Sequence, residues 1–237
     1  MKAMILAAGL GTRFKPWADT HPKALAPVNG KTLLERNIRY LQSFGITDVL
    51  VNVHHFADQI IDVLKSNNGW GSKITISDES EEVVETGGGL KKASGYFDEG
   101  PFVLMNADIL TDMDLNAMIR LHQEKKPLVT LAVTKRKSSR YFLFNENERL
   151  AGWRNTKTGE EKISIQGHGL REKAFSGIHL ISPDIFPLIH RKGKFSIVDV
   201  YLELAANHMI MEFDHTGSKL VDVGRIESVT EAELLFI

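Results

Sequence analysis

Met1-Lys2-Ala3-Met4-Ile5-Leu6-Ala7-Ala8-Gly9-Leu10-Gly11-Thr12-Arg13 opens the chain with a short apolar run that breaks into a glycine turn and ends on a cation. A secretory leader needs a longer apolar region and a small-residue cleavage site, so Ala3–Ala8 reads as a buried first strand. A glycine loop directly after a first parallel strand lies where open α/β sheets bind ligands, beyond the carboxyl ends of the strands. Glycines let backbone N–H groups come close to phosphates, and Arg13 adds a planar fork of fixed positive charge. The third glycine of a dinucleotide fingerprint would fall at Phe14, and no glycine–four residues–Gly-Lys-Ser/Thr pattern follows. A dinucleotide-dependent oxidoreductase and a P-loop NTPase are therefore disfavoured. On the glycines alone, a phosphate cradle and an ordinary strand-to-helix turn stand level.

Outward from that turn, the first half alternates strand and helix. Gly9–Gly30 is irregular and punctuated by proline and glycine. Over Thr32–Phe44, Leu33, Leu34, Ile38, Leu41 and Phe44 recur at helical spacing. The pattern then predicts a strand at Asp48–Val53, a helix at Ala57–Ser66 and a strand at Lys73–Ser77. A helix at Gly89–Phe97, a strand at Phe102–Met105, a helix at Leu115–Glu124 and a strand at Leu128–Thr134 follow. This order implies an α/β fold: an open, mostly parallel (Rossmann-like) sheet with helices on both faces. Beyond it, Tyr141–Asn145 and Leu150–Arg154 read as two short strands around a polar turn. Thr156–Arg171 is polar and irregular. A strand at Phe175–Ile181, helices at Pro183–Ile189 and Ile197–His208, a strand at Lys219–Val223 and a helix at Ile226–Leu235 close the chain. The expected organisation is one domain over 1–237, with a small β insertion. Residues 1–135 are assigned mainly to one ligand and 136–237 mainly to a second ligand and to closing the site.

Composition narrows the function classes. The 237 residues are 43% hydrophobic, enough for a packed core. The 29 basic and 30 acidic residues leave a formal charge of -1 with no like-charge block, so no nucleic-acid groove or basic membrane surface is expected. The absence of cysteine excludes disulfides, thiolate metal sites and cysteine catalysis. No run approaches the roughly 20 apolar residues of a membrane span, and a cytoplasmic location is expected. No two histidines have helical metal-ligand spacing. His54-His55 and the others read as structural or surface residues.

Four further strings carry chemistry. Pro22-Lys23 sits in a stretch too rich in proline for a helix. Lys23 is either an ordinary exposed lysine or a second cation converging with Arg13 on a polyphosphate. Glu85-Thr86-Gly87-Gly88-Gly89 reads as a loop whose bare backbone could lie against a flat base, or as a plain turn. Asn106-Ala107-Asp108 ends an apolar strand. A carboxylate there suits a hard cation bridging phosphates, or caps a helix. Val221-Asp222-Val223-Gly224 places a second carboxylate after the last strand.

In order and spacing, Gly9-Leu10-Gly11-Thr12-Arg13, Pro16, Pro22-Lys23, Pro27, Gly30-Lys31 and Leu33-Leu34-Glu35 resemble the opening of the sugar-1-phosphate nucleotidylyltransferases. The resemblance extends over nearly the whole chain. It implies a transfer from a nucleoside triphosphate to a sugar 1-phosphate, with Mg2+ as cofactor. It also implies that Ala8, Gly9, Gly11, Thr12 and Arg13 hold the triphosphate and that Lys23 lies by the α-phosphate. Glu85 and Gly88 would read the base, Asp108 and Asp222 would hold the metal, and Asn106 and Gly177 would line the sugar pocket. The Glu-Thr-Gly-Gly-Gly form at 85–89 and Asn106–Asp114 look most like the N-acetylmuramate-1-phosphate uridylyltransferases of cell-wall recycling. GTP-dependent mannose- or heptose-1-phosphate guanylyltransferases are the alternative. A nucleotide-sugar-binding regulatory subunit without activity is the alternative of another class.

Two departures from the family pattern are visible. Ala18 stands where a threonine or serine is frequent. The Glu-Lys-Pro triplet used for sugar contacts is missing, and Trp153-Arg154 occupies a comparable place. No appended acyltransferase or β-helix domain is expected. Arg154 or Arg171 would meet the lactyl carboxylate of a muramate. A monomer or small homo-oligomer is expected.

Overall fold

The computed structural model describes residues 1–81 and 84–237. The first half contains β1 (Lys2–Leu6), β2 (Pro27–Val28), β3 (Lys31–Thr32), α1 (Leu33–Ser43), β4 (Asp48–Val53), α2 (Ala57–Ser66), β5 (Lys73–Asp78), α3 (Glu85–Lys92), β6 (Phe102–Asn106), β7 (Ile109–Thr111), α4 (Leu115–Lys125) and β8 (Val129–Thr134). The second half contains β9 (Arg140–Phe144), β10 (Leu150–Asn155), β11 (Glu161–Ile163), β12 (Arg171–Ile181), α5 (Ile197–Leu204), β13 (Ile210–Asp214), β14 (Leu220–Asp222) and α6 (Ser228–Leu235). The central sheet runs β5-β4-β1-β6-β12-β8-β13, and every strand in it but β12 points the same way. The first residues of β12 continue past this sheet to pair with β9, which carries β10 and β11 as an antiparallel extension.

Alternation along β1 explains the two layers of helices. Ala3 and Ile5 face a core shared with Leu34, Ile38 and Leu41 of α1, Ile60 and Leu64 of α2, and Leu115 and Met118 of α4. Met4 faces the opposite core, with Leu90 of α3 and Ile197, Val200 and Tyr201 of α5. Successive strand residues point to opposite faces, so one apolar run feeds both layers. The Thr32 side chain caps α1 by accepting from the Glu35 N–H at 3.0 Å. Gly45, at φ 75°, ends that helix. A third cluster joins Phe14, Ala18, Ala26 and Val28 of the first loop to Leu110, Val221, Val223 and Ala232. It clamps that loop onto the two-stranded ribbon β7–β14.

Five expectations are corrected. Glu85–Gly89 is the first turn of α3, so that helix begins four residues before the predicted Gly89 and ends at Lys92. The glycines are there for close approach. A Cβ on Gly87 would lie 2.4 Å from the Phe195 ring, one on Gly88 2.6 Å from the Gly193 carbonyl, and one on Gly89 2.7 Å from Glu79 Oε1. Thr156–Arg171 is not wholly irregular, because β11 lies within it, and β12 begins four residues earlier than predicted. The helix predicted to His208 stops at Leu204, and the strands β7 and β13 were not anticipated. In β13 the buried Glu212 interrupts the apolar pattern, matched by Arg171 at 2.8 Å.

The α3 packing makes a prediction of unusual sign. Gly→Ala inside a helix ordinarily stabilises by up to about 1 kcal/mol. Gly87→Ala should instead destabilise by about 1–3 kcal/mol, through overpacking on Phe195. A urea unfolding midpoint equal to or above that of the parent chain would contradict this.

Candidate active site

The site lies beyond the carboxyl ends of the parallel strands, where an open α/β sheet places its ligands. A cleft of about 500 Å³ is lined there by residues 6–12, Lys23, Ala24, Asn52, His54, Glu79, Glu85, Thr86, Asn106–Asp108, Lys194 and Ser196. It brings together eight of the residues singled out in the sequence: Ala8, Gly9, Gly11, Thr12, Lys23, Glu85, Asn106 and Asp108. Gly11 has φ 62°, and a Cβ on it would lie 3.1 Å from Ala18 Cβ and 3.4 Å from Lys23 Cβ. Both the backbone angle and the space at that position call for glycine. The alanine at 18 thus packs against the glycine loop.

Lys23 sits in a one-turn helix, Lys23–Leu25, that follows Pro22. Its Nζ donates directly to Asp108 Oδ2, a contact made across the cleft floor with both side chains largely covered. Asp222 ends β14, alongside the segment that carries Asp108. On the β7–β14 ribbon it pairs with Ile109, and the Val223 N–H donates to the Asp108 carbonyl at 2.8 Å. The Asp222 side chain is exposed at the end of β14, yet protein packed around its carboxyl group, and then the Asp108 charge, push it above the usual carboxylate range. Arg136, Lys23 and Arg13 oppose that shift. Two neighbouring carboxylates at one strand end are a donor set suited to a cation.

Arg13 does not line the main cleft. It borders a separate depression with Arg225, Glu227, Ser228 and Glu231. It stays near the carboxylates nonetheless: a Cβ on Gly224 would lie 2.7 Å from Asp222 Oδ1 and 3.3 Å from Arg13 Nη2. Gly177, at φ 74°, sits in the register break of β12 between Phe175 and His179. Its bare backbone lies over Asn106 and Ile109, where a Cβ would approach to 2.9 and 2.7 Å. Gly88 is buried inside α3 and does not reach the cleft. Trp153 packs against the α5-side core under Lys162 Nζ, 5.8 Å from the ring centre, and does not line the cleft either.

Several cleft residues escaped the sequence reading. Asn52 Oδ1 accepts the Ala7 N–H at 2.7 Å, and Asn52 Nδ2 donates to Glu79 Oε1 at 2.9 Å. This relay ties the start of the glycine loop to a buried carboxyl group on the opposite wall. Burial raises Glu79 above its ordinary value, against the Asn52 amide. His54 Nδ1 lies 2.7 Å from the Glu79 carbonyl. Lys194 Nζ comes within 3.6 Å of Glu85 Oε1, linking α3 to the segment before α5 at the cleft mouth. The signal for Asn52 and Glu79 was present in the sequence: each is a polar residue at or just past the carboxyl end of a predicted strand. Two buried histidines away from the cleft are satisfied and structural. His179 pairs with Tyr201 at 2.7 Å and His122 with Thr130 at 2.9 Å. Burial holds these histidines near 3 and 4, and so neutral.

The fold has solved counterparts. HddC from Yersinia pseudotuberculosis superposes with a TM-score of 0.79 at 24% identity, covering 100% of this chain and 99% of that one. UDP-glucose pyrophosphorylase from Acinetobacter baumanii gives 0.79 at 16% identity, covering 98% and 92%. Among sequence relatives, N-acetylmuramate alpha-1-phosphate uridylyltransferase of Neisseria meningitidis is 28% identical over 99% of this chain and 98% of its own. UTP--glucose-1-phosphate uridylyltransferase of Synechocystis is 27% identical over 98% of this chain, which spans 62% of that relative's length. Mannose-1-phosphate guanyltransferase of Yarrowia lipolytica is 25% identical over 100% of this chain and 64% of its own. Residues 2–236 match the family described as Nucleotidyl transferase, and the chain belongs to that family.

Proposed function

We propose that this chain transfers a uridylyl group from UTP to N-acetylmuramate 1-phosphate, releasing pyrophosphate, with Mg2+ as cofactor. The observation that carries the reaction class is the convergence of the glycine loop, the Lys23–Asp108 pair and Asp222 at one end of the sheet. Among the described residues no group of three or more His, Cys, Asp or Glu could hold a metal. Two carboxylates completed by substrate phosphates is the arrangement Mg2+ favours over an all-protein cage. When bound, the ion supplies positive charge to the reacting phosphates.

The chemistry follows from charge. A phosphate monoester has a second pKa of about 6, so the sugar phosphate oxygen is already ionised at neutral pH. It attacks the α-phosphorus in line. The new O–P bond forms as the bond to the bridging oxygen of pyrophosphate breaks, and no general base is required. The obstacle is the approach of two anions and the charge that grows on pyrophosphate. In this reading Arg13 faces the β- and γ-phosphates from outside the cleft, and Lys23 exchanges Asp108 for an α-phosphate oxygen. The backbone of residues 8–12 positions the triphosphate. Asn106 and Gly177 border the acceptor. The base lies toward α3, where Glu79 and the first turn of the helix offer acceptors to a base N–H. A catalytically silent regulator is a poorer fit, because Arg13, Lys23, Asp108 and Asp222 are all retained.

UTP and a muramate rest on the likeness at 85–89 and 106–114 and on the Neisseria relative. A GTP-dependent reading has its own support. The guanyltransferase relatives align over the full chain, and a carboxyl group such as Glu79 suits the paired N–H donors of a guanine edge. Cytoplasmic residence and a role in cell-wall recycling belong to the muramate reading. No helix among the described residues is long and apolar enough to cross a membrane. The test is kcat/KM for UTP, GTP, CTP and dTTP against muramate-, glucosamine-, mannose- and heptose-type 1-phosphates. UTP with the muramate should exceed every other pair by at least about 100-fold, well inside the margin of about 10⁴ open to a site that pairs a buried polar edge. A preference for GTP with a mannose or heptose phosphate would reverse the substrate assignment and leave the reaction class standing.

A further inference from the structure

The acceptor side of this site lacks an assigned cation. Lys23 and Arg13 stand on the triphosphate side, and the two arginines considered for the sugar are occupied. Arg154 bridges Glu161 at 2.5 Å and Glu172 at 2.6 Å, while Arg171 bridges Glu212 at 2.8 Å. On the same extension Lys162 pairs with Asp199 at 3.0 Å, and Lys173 pairs with Asp214. A sugar 1-phosphate nevertheless brings close to two negative charges to a pair of carboxylates.

Arg136 stands apart from these matched pairs. It leaves the sheet two residues past β8, on the same edge as the cleft. Its Nη2 donates to the Phe175 carbonyl at 2.9 Å, two residues before the Gly177 break that overlies Asn106 and Ile109. Ile109 is in turn the strand partner of Asp222. The guanidinium is thus fixed on the backbone that borders the acceptor. It forms no salt bridge among the described residues. Its Nε is buried with no protein partner, and so are Oγ1 of Thr134 and Nδ1 of His215. These are three of the five such atoms among the described residues, and all lie at the ends of β8 and β13. Burial holds His215 near 4, so it is neutral and adds no competing charge. Buried polar atoms left without partners mark a place where a ligand or ordered water completes the structure.

We propose that Arg136 binds the phosphate of the sugar 1-phosphate, as the acceptor-side counterpart of Arg13 and Lys23. The assignment rests on the nucleotidyl-transfer reading of the site. It replaces the missing Glu-Lys-Pro triplet with a residue from a different strand end. Arginine suits the task, because its planar fork can keep one nitrogen on a carbonyl and present others to phosphate oxygens.

The experiment is steady-state kinetics on the full chain with Mg2+, varying each substrate in turn, for Arg136→Ala, Arg136→Lys and the neighbouring exposed control Lys137→Ala. Arg136→Ala should raise KM for the acceptor about 10- to 100-fold, the range for losing a charged hydrogen-bond partner. KM for the nucleotide and the Mg2+ dependence should stay within about 3-fold. Arg136→Lys should recover part of the loss, and Lys137→Ala should match the parent. Melting temperatures identify any variant that fails to fold, and in that case Arg136→Lys alone carries the comparison. Equal rises in both KM values, or a loss confined to Mg2+ dependence, would make Arg136 a support for Asp222 and overturn the assignment. A defect seen with muramate but not with glucosamine 1-phosphate would also overturn it, by moving the contact to the lactyl carboxylate. If the parent chain transfers no nucleotide to any sugar phosphate, the underlying reading fails and takes this assignment with it. A normal acceptor KM in an active Arg136→Ala variant fails this assignment alone.

Discussion

Asp108→Asn and Asp222→Asn are each expected to lower turnover by about 100-fold or more with Mg2+, because each removes half of a shared cation site. The two should differ in stability. Protein packed around its carboxyl group, and then Asp108, raise Asp222 although its side chain is exposed, so its ionised form is mildly disfavoured in the folded chain. A raised carboxyl pKa contributes stability only at low pH, and that contribution is lost as pH rises through the folded value. At neutral pH and without divalent cation, Asp222→Asn should therefore melt at or above the parent temperature. Asp108→Asn instead deprives Lys23 of its carboxylate partner and should melt no higher than the parent. Activity near normal in either variant would remove that residue from the cation site. A clear drop in the melting temperature of Asp222→Asn would show that its carboxylate stabilises the fold.

The second large effect is expected at Lys23. Its ammonium is held on Asp108 when no substrate is present, in a site largely covered from water. In the proposed reaction it meets charge that develops at the α-phosphate. Lys23→Ala should lower kcat by about 100- to 1000-fold, the scale for removing one preorganised donor to a developing anion. The dissociation constant for the nucleotide should change by less than about 10-fold, since a contact made in the transition state registers in kcat. Lys23→Arg should not restore activity, because a planar fork does not replace a compact ammonium on a short tether. An unchanged kcat with a raised KM would reduce Lys23 to a binding residue.

Much of this site was legible because it is built from strand ends. The apolar runs before Gly9, Asn106 and Asp222 declared β1, β6 and β14, and a loop at the carboxyl end of such a strand has one place to go. Lys23 and Asp108 are 85 residues apart, yet both follow from that rule once the loop after β1 is folded back by its prolines. The three glycines of α3 were harder. Local propensity reads a glycine triplet as a loop, whereas the packing of Phe195, Gly193 and Glu79 requires a helix without Cβ atoms. That requirement comes from residues more than 100 positions away in two of the three cases and leaves no local trace. Arg13 lies on the outer side of the loop, since the direction of a side chain on an irregular segment depends on φ/ψ values that no periodicity reports. Arg154 and Arg171 looked available as isolated cations. Their partners, Glu161, Glu172 and Glu212, become neighbours only through the pairing of β9–β13. Arg136 was overlooked for the converse reason: in a run of Lys135-Arg136-Lys137 it reads as a solvated face, and only the turn of the backbone after β8 buries its Nε.

Nucleotidyl transfer to a sugar 1-phosphate is decided by pyrophosphate release from UTP, N-acetylmuramate 1-phosphate and Mg2+ within the substrate panel. Pyrophosphate should appear at a steady rate that needs both substrates, in a one-to-one ratio with a nucleoside diphosphate sugar. No pyrophosphate from the parent chain with any triphosphate and any sugar 1-phosphate in the panel, under conditions where the chain is folded, would contradict the account.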